Sequence, residues 1–522
     1  MVGVVKMPEN LFKKLKENIS PAWKVCFFSA IIIGLLAHLY KITGWLPNWD
    51  SLVFRYDPQN MLPLGRWFLP VVCSVTSFYD LPFLNGIIAI LFHALSAVCI
   101  CKILNVQKKV TAFLIGAIIV SFPTVTSVMM YNYVADGYSI AFFLSTLAAL
   151  FLTAKKPKYI LAALLIALST GIYQAYLTVT IMLVMIHLID ETIYHNANLS
   201  AIFKKGSLIL LSGISGVALY GIVLKILLKI FSVGLFDYQG INSTANVSNI
   251  DILGSLYSIK ETFLNCFFDL SEGLNIYVAL NVLVFTVTLA HYIKYIVVNG
   301  LHKTPLKVLI IAIMGVMLVV GAGALAFVNS SVDYHNLMLM GYSVFYLFFL
   351  ILYERGKDTD KKHAIIKCWI ILLTSILVIA NQVVISNVSY HKAQMAYEKS
   401  YGVLIRIADR IEQTPNSENC EKVAVIGALD NSEDYSVNLT PDITGITDGY
   451  IIRTDDETVG QSVLTSTIND YCDKDYKFIS GEEKKQLSQN EKVKSMEKWP
   501  ARNCITVVDD IIVIKLGTEG EN

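Results

Sequence analysis

Charged residues are scarce in this chain. Only 16% of the 522 residues are Asp, Glu, Lys or Arg, whereas 55% are hydrophobic and the mean hydropathy is +0.56. A soluble protein of this length would expose far more charge. The composition therefore excludes the soluble classes and predicts an integral membrane protein.

Several motifs of common function classes are also missing. There is no nucleotide-binding loop, which argues against an enzyme that uses a nucleotide sugar from the cytoplasm. The nine cysteines include no C-x-x-C spacing, so we expect neither a metal nor another cofactor. We expect no nucleic-acid partner either. Cys420, Cys472 and Cys504 would allow one disulfide if the C-terminal region is exported.

Two regions of different composition follow one another along the chain. From residue 390 onward there are 15 Lys and Arg against 24 Asp and Glu, and the long apolar runs have ended. We predict a cytoplasmic amphipathic segment over 1–24, a transmembrane domain over 25–388 and a small α/β domain over 389–522. The last contains an amphipathic helix near 390–414, a strand near 421–427, a short helix near 482–488 and a terminal hairpin that turns at Asp509 and Asp510.

Apolar runs of roughly 20 residues can cross a ~30 Å hydrocarbon core as helices. The pair 158–170 and 173–191 is the least regular, because Ser169-Thr170-Gly171 can mark either a tight turn or a kink in one helix. Counted as two, this pair brings the prediction to about eleven transmembrane helices: 25–43, 83–104, 110–130, 137–154, 158–170, 173–191, 207–231, 274–297, 306–328, 335–353 and 363–387.

The positive-inside rule decides between these two counts. With eleven spans and a cytoplasmic N-terminus, the basic loops near residues 102–109, 155–158, 204–205, 294–307 and 355–362 all lie inside. On the opposite side, the first loop then holds Arg55 and Arg66, and the stretches 131–136, 232–259 and 329–334 hold no Lys or Arg. This separation predicts that the long loops 44–82 and 232–273 and the C-terminal α/β domain are extracytoplasmic.

The outer loops repeat a combination of acidic and aromatic residues at the edge of the bilayer. Carboxylates are costly there, and aromatic belts account for the rings but not for the acids. The alternative is that these acids are solvated or cap the helices that follow. The candidates in these loops are Trp49, Asp50, Asp57, Tyr133, Asp136, Tyr173, Gln174, Asp237, Tyr238, Gln239, Asp333 and His335.

Cations on the same side are few. Arg66 lies in an almost uncharged loop, and Lys225 and Lys229 are four residues apart on one face of the seventh span. Lys41, at the outer end of the first span, is explained equally well by a side chain that extends to the lipid headgroups. A lipid phosphate would suit these cations, and we select Arg66, Lys225 and Lys229 as its candidate ligands.

Acids and cations together suit one reaction, the transfer of a sugar from a lipid-phosphate carrier to a hydroxyl group. A carboxylate base must take the proton of the weakly nucleophilic acceptor hydroxyl. A cation must stabilise the charge that develops on the phosphate leaving group. Aromatic rings, amides and hydroxyls bind the sugar.

The loop motifs resemble those of the type II glucosyltransferase family, whose founding members convert O-antigen serotype. The likeness runs from about Trp45 to Asn387 and rests on W-D-S-L after the first span, L-G-R-W, Y-N-Y-V-A-D-G-Y, G-I-Y-Q-A-Y and F-D-Y-Q-G. It implies a GT-C-like polytopic enzyme in the bacterial inner membrane. Its donor would be a polyprenyl-phosphate-linked hexose, with glucose expected, and its acceptor a surface polysaccharide or a lipid-linked glycan.

The resemblance also implies roles for individual residues. GT-C enzymes place a catalytic acid in the first outer loop, which corresponds to Asp50, and many have a second acid in a later outer loop, for which we select Asp136. The expected ligands of the sugar and the acceptor are Trp49, Tyr133, Tyr173, Gln174, Asp237, Tyr238, Gln239, Asp333 and His335. Enzymes of this class that use a lipid monophosphate often work without a metal, and inversion at the anomeric carbon is the family expectation.

Other function classes remain open at this point. A flippase for lipid-linked saccharides would need polar groups along a pathway on both sides of the membrane, and acids in the cytoplasmic half are scarce. A polysaccharide polymerase or ligase shares the loop chemistry but transfers whole glycans. A non-catalytic assembly scaffold is the remaining alternative.

The predicted orientation can be tested with a topology reporter. We expect an alkaline phosphatase fused after Leu516 to be active, because the charge distribution places this end outside. A fluorescent protein fused at the same position serves as the opposite reporter, since it folds in the cytoplasm. If the fluorescent fusion is bright and the phosphatase fusion is inactive, the predicted orientation is wrong. The candidate acids would then lie on opposite sides of the membrane.

Overall fold

The structure is a computed structural model, which describes residues 19–53, 61–194, 199–236, 251–270, 273–330, 334–355, 361–429, 467–470 and 473–517. Helices dominate up to residue 413. In chain order they are α1 (Pro21–Ile42), α2 (Trp49–Val53), α3 (Leu69–Cys73), α4 (Pro82–Ile103), α5 (Lys109–Ser121), α6 (Pro123–Met130), α7 (Asn132–Thr153), α8 (Tyr159–Ile172), α9 (Leu177–Tyr194), α10 (Leu199–Phe231), α11 (Ile252–Phe268), α12 (Ile276–Val298), α13 (Pro305–Ala322), α14 (Val344–Arg355) and α15 (Lys361–Gln413).

Local sequence signals explain where several helices begin. Proline occupies the first turn of α1, α4, α6 and α13, where its missing N–H group costs no hydrogen bond. Ser20, Asp251 and Asn275 cap α1, α11 and α12 by accepting a hydrogen bond from a backbone N–H group in the first turn.

The described residues contain eight helices that are long and apolar enough to cross a membrane, or nine when α5 and α6 count as one bent span. This confirms a polytopic helical membrane protein. The break predicted near 171 is real, because Tyr173 is extended and separates α8 from the turn that leads into α9. The total of eleven stays a prediction, since α8 has 14 residues and α14 has 12.

Several predicted boundaries were wrong. The span 110–130 bends by 42° between α5 and α6, because Pro123 cannot continue the preceding helix. The run 335–353 begins with two 3₁₀ turns, and only its second half is the helix α14. The loop expected over 232–273 contains α11, an amphipathic helix too short and too polar to be recognised as a span.

Helices α7 and α9 lie at the centre of the bundle, whereas α10, α12 and α13 direct most of their apolar side chains outward. Helix α7 packs against both α4 and α8, and α1 packs against α4 and α5. The short helices α2 and α3 and the turns between them lie in the loop that follows α1, so this loop sits beside the central helix α7.

The span predicted over 363–387 and the amphipathic helix predicted near 390–414 form a single helix, α15. Its 53 residues correspond to about 80 Å at 1.5 Å per residue, more than twice a hydrocarbon core. Buried polar contacts attach it to the first helices of the bundle. His38 contacts the Tyr390 hydroxyl at 2.8 Å, and Thr126 contacts Ser386 at 2.7 Å.

A four-stranded sheet with the order β2-β1-β4-β3 follows α15. Its strands are β1 (Lys422–Ile426), β2 (Lys477–Phe478), β3 (Ile505–Val508) and β4 (Ile511–Lys515), and two short helices, α16 (Gly481–Ser488) and α17 (Glu491–Ser495), precede β3. β3 and β4 form the predicted hairpin, with Asp509 and Asp510 at positive φ in its two-residue turn. The last turns of α15 share a hydrophobic core with this sheet.

Candidate active site

The loop that contains L-G-R-W is fixed by polar side chains from two helical elements. The 3₁₀ turn Leu62–Leu64 ends at Gly65, whose φ of +74° favours glycine. The Nε2 of Gln174 donates to the carbonyl oxygen of Leu64 at 2.9 Å, and the Tyr220 hydroxyl donates to the carbonyl oxygen of Gly65 at 3.1 Å. The turn before α9 and the helix α10 therefore hold this loop in place.

The same loop is attached to the end of α8. The indole ring of Trp67 lies directly on Gly171, where an added Cβ would come within 2.6 Å of the ring. The next residue, Phe68, donates its backbone N–H to the carbonyl oxygen of Gly171 at 2.7 Å. The segments L-G-R-W and G-I-Y-Q-A-Y, which are about a hundred residues apart in sequence, therefore form one interlocked structure.

Arg66 lies on the inner side of this interlocked structure, against two tyrosine rings. Its guanidinium carbon is 4.9 Å from the centre of the Tyr173 ring, and its Nη1 donates to the Tyr138 hydroxyl at 2.9 Å. The two rings are nearly parallel, with 4.5 Å between their centres. These contacts with aromatic side chains restrict the orientation of the guanidinium, so the positive charge of Arg66 is held at a fixed position.

Asp50 lies in the first turn of α2, and its side chain is half-buried. Asn48 caps this helix, because its Oδ1 accepts a hydrogen bond from the Ser51 N–H at 2.8 Å. Burial raises the pKa of Asp50 to about 6, and the positive charge of Arg66 opposes part of this rise. A carboxylate with such a pKa is a stronger base than an exposed one, yet it is mostly ionised at pH 7.

Tyr133 connects the acid and the cation. Its ring is buried, and both Asp50 and Arg66 act electrostatically on its phenol group. The structure thus brings together Asp50, Arg66, Tyr133, Tyr173 and Gln174, five of the residues predicted from the sequence. Trp49 is the first residue of α2, but its side chain lies outside the described part of the structure.

Asp136 occupies a different environment on the same helix, α7. Its side chain is 1% exposed, and its carboxylate accepts hydrogen bonds from the Thr76 hydroxyl at 2.9 Å and from the Gly137 N–H at 2.8 Å. These contacts attach the chain after α3 to the start of α7. The predicted catalytic role of Asp136 stays a prediction, and its contacts favour a structural role.

The predicted phosphate ligands Lys225 and Lys229 are both exposed on α10. The side chains of α10 that face the loop are instead Tyr220 and Leu224, which lie within 4 Å of the position where a Cβ on Gly65 would be. The structure describes no contact between either lysine and Arg66. Their assignment to the donor phosphate therefore stays a prediction.

The remaining candidates are only partly described. Asp57, Asp237, Tyr238, Gln239 and Asp333 lie outside the described residues. His335 is half-buried and immediately precedes a 3₁₀ turn that packs against α6. Phe236, which directly precedes Asp237, donates its N–H to the carbonyl oxygen of Pro63 at 2.9 Å, so the end of α10 returns to the L-G-R-W loop.

Two tyrosines of the site were missed by the sequence analysis. Tyr138 belongs to Y-N-Y-V-A-D-G-Y but was not selected, and its contact with Arg66 depends on the packing of α7 beside the loop. Tyr220 lies in the middle of a long apolar helix, where the only signal was an aromatic residue with a polar group. Within the described residues, no group of three or more His, Cys, Asp and Glu side chains is arranged to hold a metal.

The close fit of Gly65 can be tested by adding a single methyl group. An alanine there would be strained at positive φ, and its Cβ would lie 2.5 Å from the Tyr220 hydroxyl and 2.8 Å from the Gln174 amide nitrogen. We expect Gly65→Ala to lower the free energy of unfolding by about 1–3 kcal/mol, seen as a lower melting temperature in detergent. Gly221→Ala is the matched control, because nothing lies within 4 Å of its added Cβ; equal melting temperatures for the two variants would contradict the proposed fit.

Comparison with known proteins agrees with the sequence resemblance. A family model described as Glucosyl transferase GtrII matches residues 39–353, which is more than half of the chain. No curated protein and no solved structure matches the chain. The matched region begins in the last turn of α1 and ends in α14, so it contains Asp50, Arg66 and both segments of the interlocked structure. The chain therefore belongs to the glucosyl transferase GtrII family.

Proposed function

We propose that the protein transfers a hexose, with glucose expected, from a polyprenyl-phosphate carrier to a glycan at the extracytoplasmic face of a bacterial inner membrane. The family supplies the glucosyl transfer. The observation that carries the rest is the placement of Asp50 and Arg66, an acid of raised pKa and an oriented cation, within electrostatic range of each other around Tyr133. The acceptor would be a surface polysaccharide or a lipid-linked glycan.

The acid and the cation have complementary roles in this reaction. Asp50 takes the proton of the acceptor hydroxyl while the oxygen of that hydroxyl forms a bond to the anomeric carbon of the hexose. The bond between that carbon and the phosphate oxygen breaks, and its electron pair leaves with the polyprenyl phosphate. Arg66 stabilises the negative charge that develops on this phosphate. A single displacement of this kind inverts the configuration at the anomeric carbon.

The surroundings of Arg66 support this division of roles. The stacked rings of Tyr138 and Tyr173 are buried and lie against the guanidinium, so they keep the cation in place for a phosphate. Gln174 and Tyr220 are already engaged with the loop, so we assign them to positioning rather than to sugar binding. Lys225, Lys229, Asp136 and the residues outside the described part keep their predicted roles as proposals.

Replacement of Asp50 tests the proposed base. We expect Asp50→Asn to lower kcat by about 10²–10⁴-fold, since an amide cannot accept the proton. Because the pKa of Asp50 is about 6 and the ionised form is the base, wild-type kcat/KM should fall about tenfold per pH unit below pH 6 and level off above it. The assay follows labelled hexose from a synthetic polyprenyl-phosphate donor in purified membranes.

The control for this test is Glu261→Gln, which removes a carboxylate from the surface of α11 and should leave the rate unchanged. A fully active Asp50→Asn enzyme would remove Asp50 from the mechanism. Product analysis separates the alternatives: a polymerase or ligase would require a second lipid-linked glycan in place of the monosaccharide donor.

Replacement of Arg66 tests the proposed phosphate contact. We expect Arg66→Ala to raise the KM for the donor by about tenfold or more and to lower kcat, with a smaller effect on the KM for the acceptor. Arg66→Lys should recover part of the loss, because it restores the charge without the planar stack on Tyr173. Lys260→Ala, at an exposed cation on α11, serves as the control. An effect confined to the acceptor KM would contradict the assignment.

A further inference from the structure

A groove of about 540 Å³ opens on the side of the helical bundle between α9, α11, α12, α13 and α14. Its floor is formed by buried apolar side chains such as Ile193, Val284 and Leu318. Exposed side chains, among them Leu289 and Ile293, form its rim. The lining is almost entirely aliphatic and aromatic, so the groove suits a hydrocarbon and offers little to a polar ligand.

The groove lies away from the candidate active site. Arg66 packs on Tyr173, which precedes Leu177, the first residue of α9. The groove reaches α9 at Ile189 and Ile193, and the nearer of these is about 18 Å along the helix from Leu177. It therefore belongs to the half of the bundle that ends in the connection between α12 and α13.

The depth of the groove matches one leaflet of a membrane. Its lining along α12 extends from Val284 to Ile296, which corresponds to about 18 Å in a helix. Half of a ~30 Å hydrocarbon core is ~15 Å. A single lipid chain can therefore lie in the groove parallel to the helices, with its headgroup beyond Ile296.

Aromatic side chains mark the end of the groove at which that headgroup would lie. Tyr292 is part of the lining, and the centre of the Tyr194 ring is 6.2 Å from that of Tyr292 and 4.6 Å from that of Tyr295. Tyrosines are enriched at the level of the lipid headgroups, where one end of the ring is apolar and the other is wet. The three tyrosines therefore favour the same headgroup position as the length of the groove.

The charges at this end of the groove have one sign. Between residues 273 and 330 the sequence contains three lysines and neither Asp nor Glu. Lys294 and Lys303 are exposed near the end of α12 and in the α12–α13 connection, and Lys307 lies in the first turn of α13, one turn before the lining residue Ile311. A phosphate headgroup complements such a basic end, whereas a lipid without net charge does so less well.

We propose that the groove holds one acyl chain of an anionic phospholipid, whose phosphate lies beside the lysines of the α12–α13 connection. In the predicted orientation this lipid belongs to the cytoplasmic leaflet. It fills the space between the hairpin α12–α13 and the central helices, because α12 and α13 bury much less of their length inside the protein than α7 and α9 do. A lipid that binds only the native protein stabilises it.

Filling the groove with a side chain tests whether a lipid occupies it. Gly315 lines the groove on α13, and nothing lies within 4 Å of a Cβ added there, so Gly315→Phe adds a ring at an open position. Native mass spectrometry of the purified full chain, titrated with phosphatidylglycerol, measures the affinity for the first lipid. We expect Gly315→Phe to weaken it about tenfold, because the ring takes the apolar surface that the chain would bury.

The matched control for this variant is Gly213→Phe on α10. It makes the same substitution where nothing lies within 4 Å of the added Cβ, but Gly213 does not line the groove. It should bind phosphatidylglycerol as the wild type does. Equal affinities in all three proteins would overturn the proposal.

The headgroup assignment is tested by removing two of the exposed charges. We expect the wild type to bind phosphatidylglycerol more tightly than the uncharged phosphatidylethanolamine, and K294Q/K303Q to reduce this preference by about fivefold per lysine. K155Q/K156Q removes two exposed lysines from another basic loop and should leave the preference unchanged. Equal binding of the two lipids by the wild type would contradict an anionic ligand.

Photo-crosslinking in vesicles locates the lipid on the wild-type protein. The probe is phosphatidylglycerol with a diazirine in the middle of one acyl chain. We expect crosslinks to concentrate in peptides covering 284–296 and 311–319, and to disappear from these peptides in Gly315→Phe. Equal labelling of the exposed faces of α10 and α15 would show only general contact with the bilayer and would overturn the proposal.

The same vesicles distinguish two other occupants. If polyprenyl phosphate at an equal concentration removes the crosslinks, the groove belongs to the sugar carrier and the assignment to a phospholipid is wrong. If Leu289→Cys, on the rim, forms a disulfide between two copies of the chain, the groove is a protein interface and the proposal also fails. We expect neither result, and both are read without the Gly315→Phe variant, so they decide even if that variant does not fold.

Discussion

The geometry of the site depends on the contact between the turn Leu64–Trp67 and the segment that joins α8 to α9. Two backbone carbonyls of the turn accept hydrogen bonds from Gln174 and Tyr220, and the indole of Trp67 occupies the space that Gly171 leaves free. Glycine is needed on both sides of this contact, once for its positive φ and once for its missing side chain. The guanidinium of Arg66 takes its orientation from that contact.

The two candidate acids, Asp50 and Asp136, differ in their burial and in the hydrogen bonds that their carboxylates receive. Asp136 is buried, and its carboxylate receives hydrogen bonds from the Thr76 hydroxyl and the Gly137 N–H, contacts that favour a structural role. Asp50 is half-buried, and its pKa is raised to about 6 because burial outweighs the attraction of Arg66. The partial burial and raised pKa of Asp50 are what support the proposal that it is the base.

Much of the architecture followed from composition and periodicity. The apolar runs predicted the long helices of the bundle, the segment near Gly171 predicted a break between two short helices, and Asp509-Asp510 predicted the turn of the terminal hairpin. The failures occurred where tertiary contacts override local signals. Helix α11 is amphipathic rather than uniformly apolar, and the first half of 335–353 forms 3₁₀ turns where a helix was predicted.

The sequence by itself determined the membrane class, the family and the segments that hold the candidate acids and cations, because these depend on composition and on short contiguous motifs. Only the tertiary structure decided that Tyr138 contacts Arg66, that Tyr220 holds Gly65, that Lys41 is buried, and that Asp136 contacts Thr76. The rotation and packing of each helix determine which of its faces contacts the L-G-R-W loop. Those choices depend on contacts between residues far apart in the chain, which no local pattern encodes.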